Sequence, residues 1–528
     1  MKSTAQKFLL VSSVMLAAGA CTDVTTEPKS TISGANIFNE PTSYRAFLAK
    51  LYGGLAVTGQ QGAAGAGDIA NIDEGFSQYV RLVWQMQELP TDEAAIAWND
   101  AGVQELNTQL WASNNQFLES MYYRVFFQVS LANEFLRETS DAKLTARGVT
   151  GTLATDIKRY RAEARFLRAL SYWHGIDLFG SIPLVTEANA IGAGAPAQAT
   201  RADLYSYVVN ELTALRPDLA PAGTGEYGRA DQAAASMLLT KLYLNSQVYT
   251  GTARYSEARA EAERVIGSTY RLDNNFRRIF GADNHTSPEI IFPVPQDGLK
   301  TQSFGGMTFL INASIGNQVP AADFGIPGGG WWGLRLRPEI LTLFPNGGGA
   351  TSADRRSSHF FRGGQTSTMA SLTDFTNGVA GPKFSNVTSA GAAGSSSQFP
   401  DTDYPMFRLA DAYLMYAEAV VRGGGGSRAT ALDYVNQLRT RAYGGATGNI
   451  TDAQLTTDFV LDERGRELLW EGHRRTDLIR YGRFSNAGVW AWKGNTLAGR
   501  TTDVFRNLYP LPGTELIANR NLKQNTGY

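Results

Sequence analysis

Apolar positions recur at three- and four-residue spacing over most of the chain, the mark of helices that bury one face. Tyr44, Phe47, Leu48, Leu51 and Tyr52 predict a helix opening near Thr42. A Gly/Ala-rich loop from Gly59 to Gly67 separates it from a second helical stretch, Phe76 to Gln87, which Pro90-Thr91-Asp92-Glu93 breaks. A tryptophan-rich segment, Trp98 to Trp111, leads to a long helix from Phe117 to Glu138. Ile157, Tyr160, Ala164, Leu167 and Leu170 share one side of a further helix, Thr155 to Leu178, and Gly180 with Pro183 ends it. Helices are expected at Leu204–Leu215, Asp231–Tyr249 and Ser256–Ile266.

The last two of these form a helix–turn–helix pair, and the small residues Ala233, Ala234 and Ala235 allow close approach. A similar pair recurs at Phe407–Val421 and Ala429–Ala442. Matched pairs of this kind suggest a tetratricopeptide-like scaffold, although no strict 34-residue period runs through the chain. Between these pairs the pattern changes. Gly, Ser, Pro, Thr and Asn dominate 283–401, with short apolar runs such as Ile290-Ile291-Phe292 that read as strands and one helix near Pro338–Phe344. A structureless loop of that length is improbable inside a compact domain, so a loop-rich insertion carrying small strands and the binding surface is expected. The fold class is therefore mainly α. Its regions are an N-terminal helical part over 41–282 and a C-terminal part over 283–528, itself loop-rich at 283–404, helical at 405–484 and tail-like at 485–528.

The first residues obey a different rule. Lys2 and Lys7 precede the apolar runs Phe8–Val11 and Val14–Ala18, and Ala18-Gly19-Ala20 leads into Cys21, the single cysteine among 528 residues. That is a secretory signal over 1–20 with a small-residue cleavage site. It resembles a bacterial lipoprotein signal, with Ala18 where such signals usually carry Leu, Val or Ile. Cys21 is then the lipidation site, and the polar stretch over 21–40 is a flexible tether. With one cysteine no intrachain disulfide forms, and the core holds by packing. The formal net charge of −1 provides no basic field for nucleic acid. After the signal no apolar run approaches the ~18 residues of a membrane-spanning helix, so anchoring rather than spanning is expected.

Several blocks together resemble the SusD/RagB family of outer-membrane nutrient-binding lipoproteins. They are RAEARFLRALSYWHGIDLFGSIPLVTE (Arg161 to Glu187), RLADAYLMYAEAV, ALDYVNQLRTRA, ERGRELLWEGHRRTDLIRYGRF (Glu463 to Phe484), YPLPGTEL and the closing NLKQNTGY. They stand in the family's order and reach the last residue. The resemblance implies a tetratricopeptide-like helical body, a face that binds an oligosaccharide or related oligomer, and no catalysis. It also implies a cell-surface location on the outer membrane and a SusC-like TonB-dependent barrel as partner. Ligand contacts are implied shortly after the turn seen here as Thr91-Asp92-Glu93.

The candidate chemistry is aromatic. A sugar ring has an apolar C–H face and a hydroxylated rim, which a flat indole and neighbouring polar groups match. Trp98-Asn99-Asp100 supplies both in a loop. Trp331-Trp332 follows a glycine run, with Asp323, Phe324 and Arg335 near enough in sequence to complete a platform. Trp84, Trp111, Trp173 and Trp470 follow helical patterns and read as core, whereas Trp490 and Trp492 flank a loop and fit either role. Glu463, Arg464, Glu467, Glu471, Arg474, Arg475 and Asp477 have the spacing of helix-surface or interhelical ion pairs rather than of a catalytic acid and base. The four histidines are scattered, and neither a nucleophile elbow nor a phosphate or dinucleotide loop is present. No metal or cofactor is expected, although Asp283, Asn284, Asp401 and Asp403 are the residues a calcium ion would use. Two other classes remain: a peptide-binding importer subunit on the same fold, and an exported glycan-cleaving enzyme.

Overall fold

A computed structural model describes Ile37, Phe38 and residues 40–528, apart from Ala64, Asn317, Gln318 and Arg362. The signal, Cys21 and most of the 21–40 segment lie outside the described residues. Two units divide between Ser43 and Tyr44, and the second, Tyr44–Tyr528, carries the fold and the site. Among the described residues no helix is long and apolar enough to cross a membrane.

Helices α1 (Pro41–Ala56) and α2 (Tyr79–Glu88) precede strand β1 (Ala94–Ile96) and helices α3 (Val103–Thr108), α4 (Gln116–Glu138) and α5 (Asp141–Ala146). Then come α6 (Gly151–Leu178), α7 (Arg201–Leu215), α8 (Gln232–Leu244), α9 (Ser246–Thr250) and α10 (Tyr255–Ile266). The loop-rich part holds β2 (Ile290–Val294), α11 (Gly306–Ala313), β3 (Leu334–Leu336), α12 (Pro338–Leu341) and β4 (Tyr404–Arg408). Helices α13 (Leu409–Val421), α14 (Arg428–Tyr443), α15 (Thr457–Glu467), α16 (Arg474–Arg480) and α17 (Gly513–Ala518) complete the chain. The architecture is mainly helical with two small sheets.

Capping explains where several helices begin. The side chains of Asn115, Thr200, Asp231, Ser427 and Thr456 each accept a backbone N–H from the helix turn they precede. The body is a series of packed neighbours: α4 on α6, α6 on α7, α7 on α8, α8 on α10, α10 on α13, and α13 on α14. Ala233, Ala234 and Ala235 are buried on α8, which packs closely on α10. Several expected boundaries moved: the helix expected from Phe76 opens at Tyr79, the one expected from Thr155 opens at Gly151, and the one expected to reach Phe344 ends at Leu341. The helix predicted over Asp231–Tyr249 is divided at Asn245, whose side chain turns back to donate to the Lys241 carbonyl at 3.0 Å. The helix expected to open at Phe407 opens at Leu409, because Phe407 and Arg408 pair in β4 with β2.

The loop-rich segment is bound into the helical body through its strands. β2 pairs with β4, and β3 pairs antiparallel with β1, Ala95 lying opposite Arg335. Charge does the rest. Glu467 accepts from Arg356 (2.9 Å), Arg408 (2.8 Å) and Arg441 (2.6 Å). Glu463 accepts from Arg356 (2.8 Å), Arg439 (2.6 Å) and Arg466 (2.8 Å). Arg408 also reaches Glu289 and Glu471, and Lys383 donates to Glu471. A second cluster joins Lys241 of α8 and Arg464 of α15 to Asp411 of α13, and Arg464 and Arg480 to Asp477 of α16. Of the two arrangements the spacing allowed, helix-surface or interhelical pairs, the structure shows the second: these side chains are buried between elements, and most of their partners are remote in sequence. Burial alone would raise these carboxyls. The Arg356, Arg466 and Arg439 cations more than offset this and hold Glu463 down at about 2, as Arg480 and Arg422 hold Glu418 at about 2.

This network has two measurable consequences. Glu467→Ala leaves three buried cations short of their shared carboxylate and is expected to cost ~3–5 kcal/mol in urea unfolding. A change below ~1 kcal/mol would show that the cluster relaxes freely. The depressed carboxyls stabilise the fold above the ordinary carboxyl value of 4.5, and that contribution is lost as pH falls through about 2. Thermal midpoints measured from pH 5 downward should therefore drop, most steeply toward pH 2; a flat profile would contradict it.

Candidate functional site

A hollow of about 720 Å³ opens where β1 ends and β3 begins, lined by Asp73, Phe76, Arg81, Trp98, Asn99, Asp100, Phe304 and Trp331. The β1–β3 ladder builds it. The Ala97 amide donates to the Gly333 carbonyl at 2.8 Å, extending the pairing by one step and bringing Trp98, just past β1, beside Trp331, just before β3. The amides of Trp331, Trp332 and Gly333 donate to the carbonyls of Asn312, Ile315 and Ala313 at 2.7, 2.9 and 2.8 Å. The glycine-rich approach to β3 is thereby tied to the end of α11. The Trp98 indole N–H donates to the Trp331 carbonyl at 3.0 Å and locks one ring to the other strand's backbone.

Three aromatic rings form a bent row. Trp98 and Trp331 lie 6.3 Å apart between centroids and are tilted by 45°, and Trp331 and Phe304 lie 6.3 Å apart and are tilted by 51°. Phe304 is held because its amide donates to Glu74 at 2.9 Å. Gly333 makes room for the first ring: a Cβ there would fall 2.8 Å from the Trp98 indole.

Arg81 supplies the cation. It lies in the first turn of α2, whose cap Gln78 accepts the Arg81 amide at 2.8 Å and donates to the Leu55 carbonyl at 2.7 Å. Its guanidinium lies 4.5 Å from the Phe76 ring centre and 4.2 Å from that of Phe309. The residue is 3 % exposed, and its buried Nε has no hydrogen-bond partner among the described residues. Burial pulls it down to about 9, against the opposing pull of the Asp73, Asp100 and Glu74 carboxylates, and it stays cationic at neutral pH. A cation held among rings with unspent donor capacity is prepared for an oxygen-rich ligand.

Of the residues singled out in the sequence, Trp98, Asn99, Asp100 and Trp331 share this hollow. The others lie elsewhere. Trp332 is exposed and rests on Phe375, their centroids 6.0 Å apart. Phe324 is buried against His359 and Phe361, and Asp323 is exposed beside it. Arg335 is fully buried and donates to carbonyls of the 371–377 loop, which removes it from any shared platform with Trp331. Trp84, Trp111, Trp173 and Trp470 are buried. Asp283, Asp401 and Asp403 accept from different groups, Ser389, Ser395 and Tyr227 respectively, rather than converging. Among the described residues no group of three potential metal ligands occurs. Asp73, Phe76, Arg81 and Phe304 were missed because each looks like an ordinary helix-entry or loop residue. The polar Asp73 and Arg81 flanking the start of a helix were the only available signal.

Comparison with known proteins places the chain. Residues 356–528 match the model of the SusD family. The starch-binding protein SusD of Bacteroides thetaiotaomicron is 34% identical over 525 residues, covering 91% of each chain. The crystal structure of a SusD superfamily protein from Parabacteroides distasonis superposes with a TM-score of 0.70 at 21% identity, covering 94% of this chain and 100% of the other. Surface glycan-binding protein A from Bacteroides thetaiotaomicron, in complex with laminarihexaose, gives 0.68 at 20% identity over 92% and 99%. These two structural likenesses show the fold.

Gly333→Ala tests how the first ring is seated. The added methyl should push the Trp98 indole from its place and destabilise the chain by ~1–3 kcal/mol, with an altered near-ultraviolet circular dichroism spectrum and unchanged helix content. An unaltered near-ultraviolet spectrum with an unchanged unfolding midpoint would contradict this seating.

Proposed function

The chain belongs to the SusD family, and we propose on that ground that it is a non-catalytic glycan receptor, anchored through Cys21 to the outer membrane and facing outward. It captures an oligosaccharide at the Trp98–Trp331–Phe304 hollow and passes it to a SusC-like TonB-dependent barrel. The observation that carries the reading is the bent aromatic row. Successive tilts of 45° and 51° suit a curved chain of sugars, each C–H face resting on a ring, better than a flat ribbon. The curved α-linked glucan of starch has such a shape, and a starch-binding relative at 34% identity supports that choice.

The polar groups suit the rim of the same ligand. Asn99 offers an amide, Asp73 and Asp100 accept from hydroxyls, and Arg81 donates. Charge-assisted bonds of this kind orient each sugar while the rings supply contact area. Release to a transporter favours such a shallow site, because a ligand enclosed on all sides leaves slowly. Anchoring beside a barrel raises the local ligand concentration at its mouth without new contacts.

Titration of the full chain with a malto-oligosaccharide, a laminari-oligosaccharide and a peptide checks this reading. Malto-oligosaccharide binding is expected, and Trp98→Ala should weaken it at least tenfold, ~1.4 kcal/mol. Binding of the peptide alone, or hydrolysis of the glycan in the same sample, would overturn the proposal. Recovery of a TonB-dependent barrel when the tagged chain is drawn from gently solubilised outer membranes is the expected result for the partner.

A further inference from the structure

We infer that a second carbohydrate subsite lies at Trp492, across helix α3 from the first hollow, and that longer glycans engage both. This rests on the reading of the first hollow as a glycan site. A separate hollow of about 480 Å³ is lined by Gln104, Glu105 and Thr108 of α3, by Trp492 and Asn495, and by Thr373. It combines the same two kinds of surface: one indole, and around it the Glu105 carboxylate, the Asn495 amide and the Thr373 hydroxyl, while Gln104 is spent on the Ile96 and Trp98 carbonyls and on Asn107.

The indole is firmly seated. Its N–H donates to the Met369 carbonyl at 2.7 Å, and the ring packs on the buried cluster of Ala95, Met369 and Leu372 while staying partly open to the hollow. The Trp492 backbone adopts φ +68°, a conformation costly for a bulky residue, so the surrounding structure holds the ring where it is. The opposite wall is equally fixed. Buried Arg335 donates to the carbonyls of Ser371 (3.1 Å) and Asp374 (2.6 Å), and also to those of Leu372 and Asn377, clamping the loop that carries Thr373. Thr373 and Asn495 are exposed at the rim, and among the described residues Thr373's hydroxyl meets only Ser371's, at 3.4 Å. Glu105 spends one oxygen on Asn115 at 2.8 Å and keeps the other.

The two hollows share a segment. Asn99 and Asp100, immediately before α3, line the first, and Gln104, Glu105 and Thr108 on α3 line the second. Gln104 donates to the Trp98 carbonyl at 2.5 Å, joining the two walls directly. Six residues of helix span only ~9 Å, about two sugar units, so one polysaccharide can reach both sites or two of its branches can occupy them.

Retardation of the full chain in gels containing soluble starch tests the assignment, with Trp98→Ala, Trp492→Ala and the double variant compared with the parent. The parent should be retarded most. Trp492→Ala should lower apparent polysaccharide affinity by roughly three- to tenfold through lost two-site engagement, and Trp98→Ala should keep a residual retardation that the double variant loses. Thr373→Arg, an exposed change that blocks the rim without touching the Trp492 backbone, should reproduce the Trp492→Ala result if folding of the latter is impaired. Parent-like retardation of both Trp492→Ala and Thr373→Arg would overturn the second subsite and leave the first standing. A parent chain that binds no glycan would overturn both readings together.

Discussion

The buried guanidinium–carboxylate network around α15 is the constraint on which the rest of the structure depends. Glu463, Glu467 and Glu471 draw arginines from the loop-rich segment (Arg356), from the end of β4 (Arg408) and from α14 (Arg439 and Arg441) to one place. Buried ion pairs contribute little net stability over apolar packing, because desolvation offsets most of the attraction. Their effect here is geometric. A forked guanidinium shared between carboxylates accepts one arrangement, and breaking any member strands a charge in the interior.

From that network the constraint passes to the aromatic hollow through a short series of contacts. Beyond α15, Arg474 holds Asp92 through its Nε and Nη2, each at 2.7 Å, and the Gly472 and His473 amides donate to Glu88. The Trp470 amide donates to Glu93 at 3.0 Å, and the Trp84 indole donates to the Trp470 carbonyl at 2.9 Å. Arg337, after β3, donates to the carbonyls of Leu89, Ala94 and Asn107 around β1. The C-terminal block thus fixes where β1 and β3 meet. Three residue pairs of ladder then place Trp98 beside Trp331. A two-stranded ladder this short is marginal alone, so the geometry of the site is inherited from the charged interior behind it.

That arrangement reconciles firmness with access. Trp98 and Trp492 are held by their indole N–H groups, and Trp331 and Phe304 by neighbouring rings and backbone bonds, while all four stay partly exposed. An open, rigid platform loses little entropy on binding and imposes little barrier to release, which suits the proposed capture and hand-over of a glycan. Arg81 shows the same economy: its aromatic neighbours hold the cation without consuming its donors.

How far the sequence carried the picture depended on the range of the interaction involved. Helix periodicity and the order of the motif blocks were legible because a helix is specified by neighbours within four residues. The division of α8 from α9 at Asn245 and the pairing of Phe407 in β4 were not, since side-chain and strand bonds there overrode the local pattern. Trp98, Asn99, Asp100 and Trp331 could be named from their chemistry, but not the partners Arg81 and Phe304, nor the diversion of Arg335 to the 371–377 loop. The sequence by itself determined the helical class, the family and the kind of side chain available for recognition. Only the tertiary structure decided which of those side chains meet, because β1 and β3, more than two hundred residues apart, are brought into register by contacts that no local pattern encodes.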